Sequence, residues 1–245
     1  MKILVPISKV PDTTSKIAFS DNNSKFNTDN VQFIINPTDE WYALTKALEL
    51  KEAGKATEVV VINVGLAENE QIIRKALAIG ADSAIRVDLD PTDAFQVAAE
   101  IAANATGFDL VIAGKETIDY NSFEIGGMVA EFIGCNAVAL VSKLEVEGSK
   151  ATATRDIEGG TETVEISLPA VICATKDLAA ARIPNMKGIM GARTKPLNVV
   201  PASTADKLTK IASFILPDKA KECKYVSPDN VEELVRLLHE EAKVI

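Results

Sequence analysis

Along the first half of the chain, short apolar runs alternate with longer segments whose apolar residues recur every three or four positions. The short runs are rich in β-branched residues and predict buried strands, whereas the longer segments predict amphipathic helices. The strands are predicted at 2–7, 59–65, 84–87 and 110–113, and the helices at 38–53, 69–79, 93–106 and 123–133. The short connections between them are typical of right-handed βαβ crossovers, so we predict an α/β protein with a doubly wound, mostly parallel sheet.

Antiparallel features interrupt this pattern in two places. Residues 17–35 carry short β-like pieces around the turn SDNNSK, which predicts an antiparallel excursion at an edge of the sheet. Past Cys135, apolar and polar residues alternate between turns at Gly148 and at Gly159 and Gly160, which predicts antiparallel hairpins. The last strand, 170–174, is uniformly apolar and is predicted to return to the sheet centre.

The end of the chain has a different pattern. Residues 177–203 have no sustained periodicity, and a long segment without regular structure is usually functional or bound to a partner. A short helix is predicted near 206–214, and a longer one at 228–243 with Ser227 as its cap. The predicted parts are an α/β domain with a hairpin insertion, a recognition loop with an extended segment, and a C-terminal helical arm, at 1–176, 177–203 and 204–245.

A polar loop, residues 115–122, joins the strand at 110–113 to a helix that Gly134 ends. Open parallel sheets bind ligands beyond the carboxyl ends of their strands, and a helix N-terminus there presents free N–H groups and positive partial charge. The pattern therefore indicates a site for an anionic ligand. Two simpler interpretations stay open, because the loop could be a plain connection and Asp119 could only cap the helix.

Composition narrows the class of partner. The net charge of −9 argues against nucleic acid or an anionic membrane as the main partner. The cysteines lie far apart and His239 is the single histidine, so we expect no metal site and a reducing compartment. No apolar run is long enough to span a bilayer and no targeting segment is recognisable, so we expect a cytoplasmic protein without membrane insertion. We identify no catalytic triad or acid–base pair.

Residues of the predicted hairpin and the strand after it match, in order and spacing, a family signature: Ala153, Arg155, Glu158, Gly159, Gly160, Glu162, Val164, Pro169, Val171, Ile172 and Cys173. The chain resembles the β subunit of electron transfer flavoprotein in this signature and also at 35–52, 74–82, 113–119 and 181–197. The resemblance implies an adenine nucleotide α-hydrolase-like fold, AMP bound in this subunit, and a larger α subunit that packs on the C-terminal arm and holds most of an FAD site. It also implies an electron carrier, not an enzyme, that links acyl-CoA and other dehydrogenases of fatty acid oxidation to a quinone oxidoreductase or the respiratory chain.

The same resemblance assigns an AMP site residue by residue. The assigned residues are Ile7, Ser8, Lys9, Asn36, Val64 and Gly65, together with Asp119, Asn121, Ser122, Phe123, Glu124 and Ile125 in the loop that holds the phosphate on N–H groups. Asn36 precedes a proline and could be only a turn residue, while Val64 could belong to the core. Thr13 and Thr38 replace aromatic residues of many respiratory members, and VPDT also occurs in members that hold a second FAD in place of AMP. We expect AMP, with a second FAD as the alternative.

The resemblance also predicts a surface that docks on dehydrogenases. Met186 matches an apolar anchor that enters a pocket on the dehydrogenase, with Ile183, Pro184, Ile189 and Met190 around it. The basic residues predicted to ring this anchor and to steer acidic surfaces towards it are Arg182, Lys187, Arg193 and Lys195. In the alternative, the apolar residues pack on the α subunit and the basic ones are solvated.

Two other classes of protein share βαβ architecture with nucleotide binding. A stand-alone regulatory module that binds adenine nucleotides would not need the long segment after Asp177. An ATP-cleaving enzyme of the pyrophosphatase type would carry a phosphate loop such as SGGxDS after the first strand, and ISKVPDTTSK lacks it. The electron transfer flavoprotein β subunit is therefore the favoured hypothesis.

Overall fold

The computed structural model describes residues 1–203, 206–218 and 223–245. The strands of these residues are, in chain order, β1 (Lys2–Pro6), β2 (Lys9–Pro11), β3 (Phe19–Ser20), β4 (Lys25–Phe26), β5 (Phe33–Ile35), β6 (Glu58–Val64), β7 (Ser83–Asp88), β8 (Leu110–Gly114), β9 (Asn136–Glu147), β10 (Lys150–Ile157), β11 (Gly160–Ser167), β12 (Ala170–Ala174) and β13 (Leu197–Pro201). The α-helices are α1 (Asp39–Glu52), α2 (Glu70–Ile79), α3 (Ala94–Ala103), α4 (Ile125–Ile133), α5 (Met186–Ala192) and α6 (Val231–Arg236). A 3₁₀ turn at Ala67–Asn69 precedes α2, and a π-helical segment at Leu237–Ala242 follows α6.

The main sheet of the described residues has the strand order β11-β10-β9-β12-β8-β1-β6-β7-β13. The strands from β9 across to β13 pair in parallel, and β10 and β11 extend the sheet as antiparallel hairpins. Strand β12 lies between β9 and β8, inside the sheet, where uniformly apolar residues are expected. The structure therefore confirms the mostly parallel sheet, the hairpins and the return of the last apolar strand.

The sheet is covered on both faces, because successive side chains of its strands point to opposite sides. On β1, Ile3 and Val5 belong to one hydrophobic core and Leu4 to the other. Helices α1 and α2 bury their apolar faces in the first core, and α3 and α4 bury theirs in the second. This arrangement confirms the doubly wound α/β fold.

The predicted excursion after β1 is antiparallel but does not join the sheet edge. Strand β2 pairs with β5, and β3 pairs with β4, as two separate two-stranded sheets. The turn between β3 and β4 uses the left-handed backbone of Asp21, Asn22 and Asn23. The excursion cannot pair with β1, since β1 already has β6 and β8 as neighbours in the described sheet.

Residues 177–203 contain more regular structure than their sequence predicts. Helix α5 lies in this segment, and β13 follows it and pairs in parallel with β7 at the sheet edge. The expectation of a segment without regular structure is therefore wrong. Seven helical residues are too few to establish a helical period, and an edge strand exposed on one side need not carry a clear apolar pattern.

The chain divides into two compact units, Met1–Ser213 and Phe214–Ile245. The predicted helix at 206–214 is absent from those residues, because the N–H groups of Leu208 and Thr209 donate to the Asp93 carboxylate instead of to helical carbonyls. In the second unit the helix begins at Val231 and is capped by Asn230 rather than by Ser227.

Other parts of the C-terminal predictions remain untested. Of the predicted arm, residues 204, 205 and 219–222 lie outside the described residues. The functional boundaries at 176 and 203 stay predictions. Within the described residues, no helix has both the length and the apolar character needed to cross a bilayer.

Candidate functional site

A cavity of about 500 Å³ lies beyond the carboxyl ends of β1, β6 and β8. Its walls include Ile7 after β1, Val64 and Gly65 at the end of β6, and Gly114 at the end of β8. The chain passes from β1 to β6 on one side and later places β8 on the other, so the strand order reverses at β1. Open α/β sheets bind ligands at such switch points, and the volume lies within the roughly 300–1,000 Å³ of small-molecule sites.

Most of the residues assigned to the AMP site line this one cavity. Those residues are Ile7, Ser8, Lys9, Val64, Gly65, Asp119, Ser122, Phe123, Glu124 and Ile125. Val64 also packs against the second hydrophobic core, so the cavity wall and the core share it. The chain positions that the resemblance selects are thus brought together from two strand ends, those of β1 and β6, and from the loop after β8.

Asn36 and Asn121 do not line the cavity. Asn36 is fully buried, and its Nδ2 donates to the Glu116 carbonyl at 3.0 Å while its Oδ1 accepts the Ile118 N–H at 3.3 Å. The Asn121 N–H donates to the Thr117 carbonyl at 3.0 Å, with a positive φ of 51°. Both asparagines therefore shape the loop after β8, and a direct ligand contact by either one stays a prediction.

The N-terminus of α4 faces the cavity without a side-chain cap. Glu124 occupies the cap position and makes no side-chain hydrogen bond to the helix, and Asp119 lies too far upstream to cap it. The helix begins close to β12, since a Cβ on Gly126 would lie 2.1 Å from the Cys173 Sγ. The N–H groups of the first turn are therefore left for other partners, as anion-binding helix ends require.

Glu40 is a cavity residue that sequence reasoning missed, because its place in the first turn of α1 suggested only a favourable helix charge. Its carboxylate accepts the Ser8 N–H at 2.7 Å and the Ser8 hydroxyl at 2.6 Å, and only 5% of the residue is exposed. Burial raises the pKa of Glu40 to about 8, although the hydrogen bonds from Ser8 oppose this shift. A Cβ on Gly114 would lie 2.7 Å from the Glu40 Cγ, so a glycine at the end of β8 makes room for this carboxyl.

Lysines contribute little unpaired positive charge to the cavity. Among the described lining residues, Lys9 pairs with Glu68 at 2.7 Å and Lys115 pairs with Glu116 at 2.8 Å. A third segment, residues 209–211, also lines the cavity and includes Lys210. It is positioned by the Asp93 carboxylate, which accepts the N–H groups of Leu208 and Thr209. Backbone N–H groups and the Lys210 ammonium are therefore the main groups available to an anion. Sequence reasoning missed this third segment because it predicted a helix there.

The predicted docking residues form an exposed apolar surface on and before α5. Ile183 is 89% exposed, Met186 72% and Met190 69%, and Ile189 is exposed to a lesser degree. Pro184 is half-buried beside them. Exposed apolar residues of this size in one cluster commonly mark an interaction site.

The four basic residues of this segment have different surroundings, and the predicted ring of positive charge is only half present. Arg182 forms a two-pronged ion pair with Glu52, at 2.6 and 2.8 Å. The ammonium of Lys195 donates to two backbone carbonyls of α2 and the turn after it, and its pKa is lowered by partial burial. Lys187 and Arg193 are exposed and form no ion pair with a described residue. Only these two are therefore available to steer a partner.

A doubly wound sheet with a cavity at its switch point places the chain in the class of doubly wound α/β proteins, a class in which ligands bind at strand ends. Residues 24–205 match the family model of the electron transfer flavoprotein domain. The chain is 39% identical over 220 residues to the electron transfer flavoprotein subunit beta of Syntrophomonas wolfei. This alignment covers 89% of this chain and 86% of that protein. It is 36% identical to the subunit beta of Bradyrhizobium diazoefficiens over 100% of both chains, and 32% identical to the human one over 100% of this chain and 99% of that protein. The chain belongs to the electron transfer flavoprotein family, as a β-subunit type member.

Among the described residues, no group of three or more His, Cys, Asp or Glu side chains is arranged to hold a metal ion. Chemistry in this family comes from the flavin that gives it its name. When a flavin is bound, it supplies the electron transfer, and the protein supplies placement and electrostatics.

Proposed function

We propose that this chain pairs with an α subunit in an electron transfer flavoprotein and acts as an electron carrier without substrate turnover of its own. The α subunit would hold most of the FAD site, and the pair would carry electrons from acyl-CoA and other dehydrogenases to a quinone oxidoreductase or the respiratory chain, in the cytoplasm. The full-length match to β subunits supports this proposal. The exposed apolar surface around Met186 supports the part that concerns dehydrogenases.

We infer that the cavity holds AMP as a structural ligand. The observation that carries this inference is the uncapped α4 N-terminus facing a cavity at the sheet switch point. The phosphate would bind the N–H groups of residues 122–125, while apolar groups such as Ile7 and Val64 offer surfaces for the base. Because Lys9 and Lys115 are already paired with carboxylates, the N–H groups would carry most of the phosphate recognition.

Substitution of one cavity residue and one loop-shaping residue tests this inference. A ligand that binds only the folded state adds about 2.7 kcal/mol at a concentration of one hundred times its Kd, without being turned over. Asp119→Ala and Asn36→Ala should therefore lower both the nucleotide content and the melting temperature of the αβ complex, and leave the flavin potential nearly unchanged. Asp156→Ala, at an exposed position of β10, is the matched control and should change neither.

The same variants separate AMP from the alternative of a second FAD. If Asp119→Ala or Asn36→Ala removes visible absorbance from the complex, the cavity holds a flavin and the AMP assignment is wrong. If both variants keep wild-type nucleotide content, the loop after β8 is a plain connection.

A further inference from the structure

The docking segment, residues 182–195, is attached to the α/β domain by side chains that the proposed docking surface does not use. We propose that Arg74, Lys195 and Trp41 are positioning residues that hold α5 in a preformed orientation, so that Met186 and Met190 face a dehydrogenase pocket. This inference rests on the proposed docking function and adds to it the residues that make the surface rigid.

Two cations fix the C-terminal end of α5. The Arg74 Nη1 on α2 donates to the Ala192 carbonyl at 2.9 Å and to the Lys195 carbonyl at 2.8 Å. In the opposite direction, the Lys195 ammonium donates to the Leu77 carbonyl at 2.9 Å and to the Ala81 carbonyl at 2.5 Å. Carbonyls at the end of a helix have no partner within it, so Lys195 satisfies the end of α2 while Arg74 satisfies the end of α5.

A glycine allows α5 to lie directly on the last turn of α2. A Cβ on Gly188 would lie 2.3 Å from the Ala78 carbonyl oxygen, a distance that would force one of the two backbones to move. Ala192, one turn further along, is buried in the first hydrophobic core. This face of α5 is therefore fixed against α2, and Met186 and Met190 are left exposed.

The N-terminal end of the segment is fixed by α1. The Trp41 Nε1 donates to the Arg182 carbonyl at 2.8 Å, and the Arg182 guanidinium binds both carboxylate oxygens of Glu52. The Lys75 ammonium lies 4.8 Å from the centre of the Trp41 ring and so helps to orient the indole. The two ends of the segment are thus bound to two different helices of the same domain.

These contacts divide the cations around the docking surface into two groups. Arg74 and Lys195 donate to backbone carbonyls, and Arg182 donates to the Glu52 carboxylate. Lys187 and Arg193 remain exposed. A helix of seven residues is not stable in isolation, so its order must come from such attachments. A surface that is ordered before binding avoids the entropy cost of ordering during it, which lowers the concentration needed for docking.

The test uses the FAD-loaded αβ complex and a purified acyl-CoA dehydrogenase that reduces it. Arg74→Met and Gly188→Ala should reduce hydrogen-exchange protection of the amides of residues 189–195 at least tenfold. Both should raise the half-saturating concentration of the complex about tenfold, because α5 must then become ordered each time a dehydrogenase binds. The maximal rate should stay within twofold of wild type, because the bound complex has the same geometry once it has formed. Arg74→Lys, whose ammonium can donate to the same two carbonyls, should restore most of the affinity.

Control variants keep the outcomes distinct. Trp41→Phe keeps the ring but not the N–H, and should show a smaller loss of protection near Arg182. Arg193→Met removes an exposed cation and should leave the exchange protection unchanged. Wild-type protection, or wild-type half-saturation, in both Arg74→Met and Gly188→Ala would overturn the proposal. Lost protection in these variants together with unchanged kinetics in Met186→Ala would support the attachment of α5 but refute the docking function itself.

Discussion

The cavity and the docking segment use the same kinds of contact but present different groups to a ligand or partner. Each depends on a glycine that lets two backbones approach closely, Gly114 against Glu40 in the cavity and Gly188 against Ala78 under α5. In each, charged side chains bind backbone groups at strand or helix ends. In the cavity the polar groups line the ligand space itself, whereas in the docking segment they lie beneath α5 and leave apolar side chains exposed.

This difference teaches which charges are available for function. In the cavity, Glu68 and Glu116 pair with Lys9 and Lys115, so a phosphate would depend mainly on N–H groups and on Lys210. In the docking segment, Arg182 and Lys195 are engaged, so a partner meets mainly apolar side chains and two exposed cations. A count of charges along either stretch of sequence would overstate the electrostatic contribution to binding.

The largest effect on stability should come from a side chain added at Gly114, where the backbone of β8 lies close to Glu40. Gly114→Ala would place a Cβ 2.8 Å from the backbone nitrogen of Glu40, which cannot move without shifting α1. We expect a loss of about 1–3 kcal/mol, measured as a lower denaturation midpoint of the αβ complex. Gly127→Ala is the matched control, since nothing lies within 4 Å of its Cβ position, and it should be neutral or slightly stabilising. Equal effects of the two substitutions would mean that the contact with Glu40 is not tight.

The next effect concerns the docking surface. Met186→Ala should raise the half-saturating concentration of the complex for reduction by a cognate dehydrogenase about tenfold, or about 1.4 kcal/mol, because a buried anchor commonly dominates an interface. FAD content and αβ assembly should stay at wild-type levels. Ile157→Ala, at an exposed apolar position of β10, serves as the control and should have no kinetic effect. Loss of the αβ dimer in Met186→Ala would instead assign this surface to the α subunit.

Stability should depend on pH through Glu40 in a way that it does not through Glu68, another carboxylate of the cavity wall. We expect this effect to be intermediate in size. The folded-state pKa of Glu40 is raised from 4.5 to about 8, so the folded protein retains a proton that the unfolded chain has lost, and stability falls as the pH rises across this range. Glu40→Gln keeps the shape of the protonated carboxyl and removes this loss. Above pH 8 the variant should be more stable by at least roughly 1 kcal/mol, since one pKa unit is about 1.4 kcal/mol.

This prediction also has a control in the same wall. The Lys9 ammonium lowers the pKa of Glu68, so Glu68→Gln should bring no gain in stability at high pH. Thermal melts of both variants between pH 5 and pH 9 would measure the difference. If the melting temperature of Glu40→Gln changes with pH in parallel with that of the wild type, Glu40 is ionised in the folded protein throughout this pH range.

The smallest effect should come from the exposed cations. Replacing Lys187 and Arg193 together with methionine should lower the rate of association with a dehydrogenase at low salt by a few fold, because steering acts on association and is screened by salt. The difference should disappear at high ionic strength. A difference that persists at high salt would mean that one of these side chains forms a close, desolvated contact.

The sequence predicted the regular part of the fold because that part repeats simple rules. Buried runs such as Val59–Val61 and the hairpin turns at Gly148 and Gly159 lie where the pattern placed them. Helix α4 ends at Gly134, as predicted, and Gly134 adopts the left-handed conformation. Each of these features depends on neighbouring residues only, so a local pattern is sufficient to find them.

What the sequence could not predict depends on residues that are distant along the chain. The environment of Glu40 comes from Ser8 and Gly114, which belong to two other elements. The roles of Arg182 and Lys195 depend on Glu52 and on the end of α2. Leu208 and Thr209 adopt their backbone because of Asp93, and a local helical pattern gives no sign of that contact.

Nucleotide analysis of the purified αβ complex tests the central claim most directly. The complex would be denatured, and the released nucleotides identified and counted by mass spectrometry against the protein concentration. The account predicts one FAD and one AMP per heterodimer, with the AMP lost in Asp119→Ala. Two FAD per heterodimer, or one FAD with no second nucleotide, would contradict the assignment of the cavity as an AMP site.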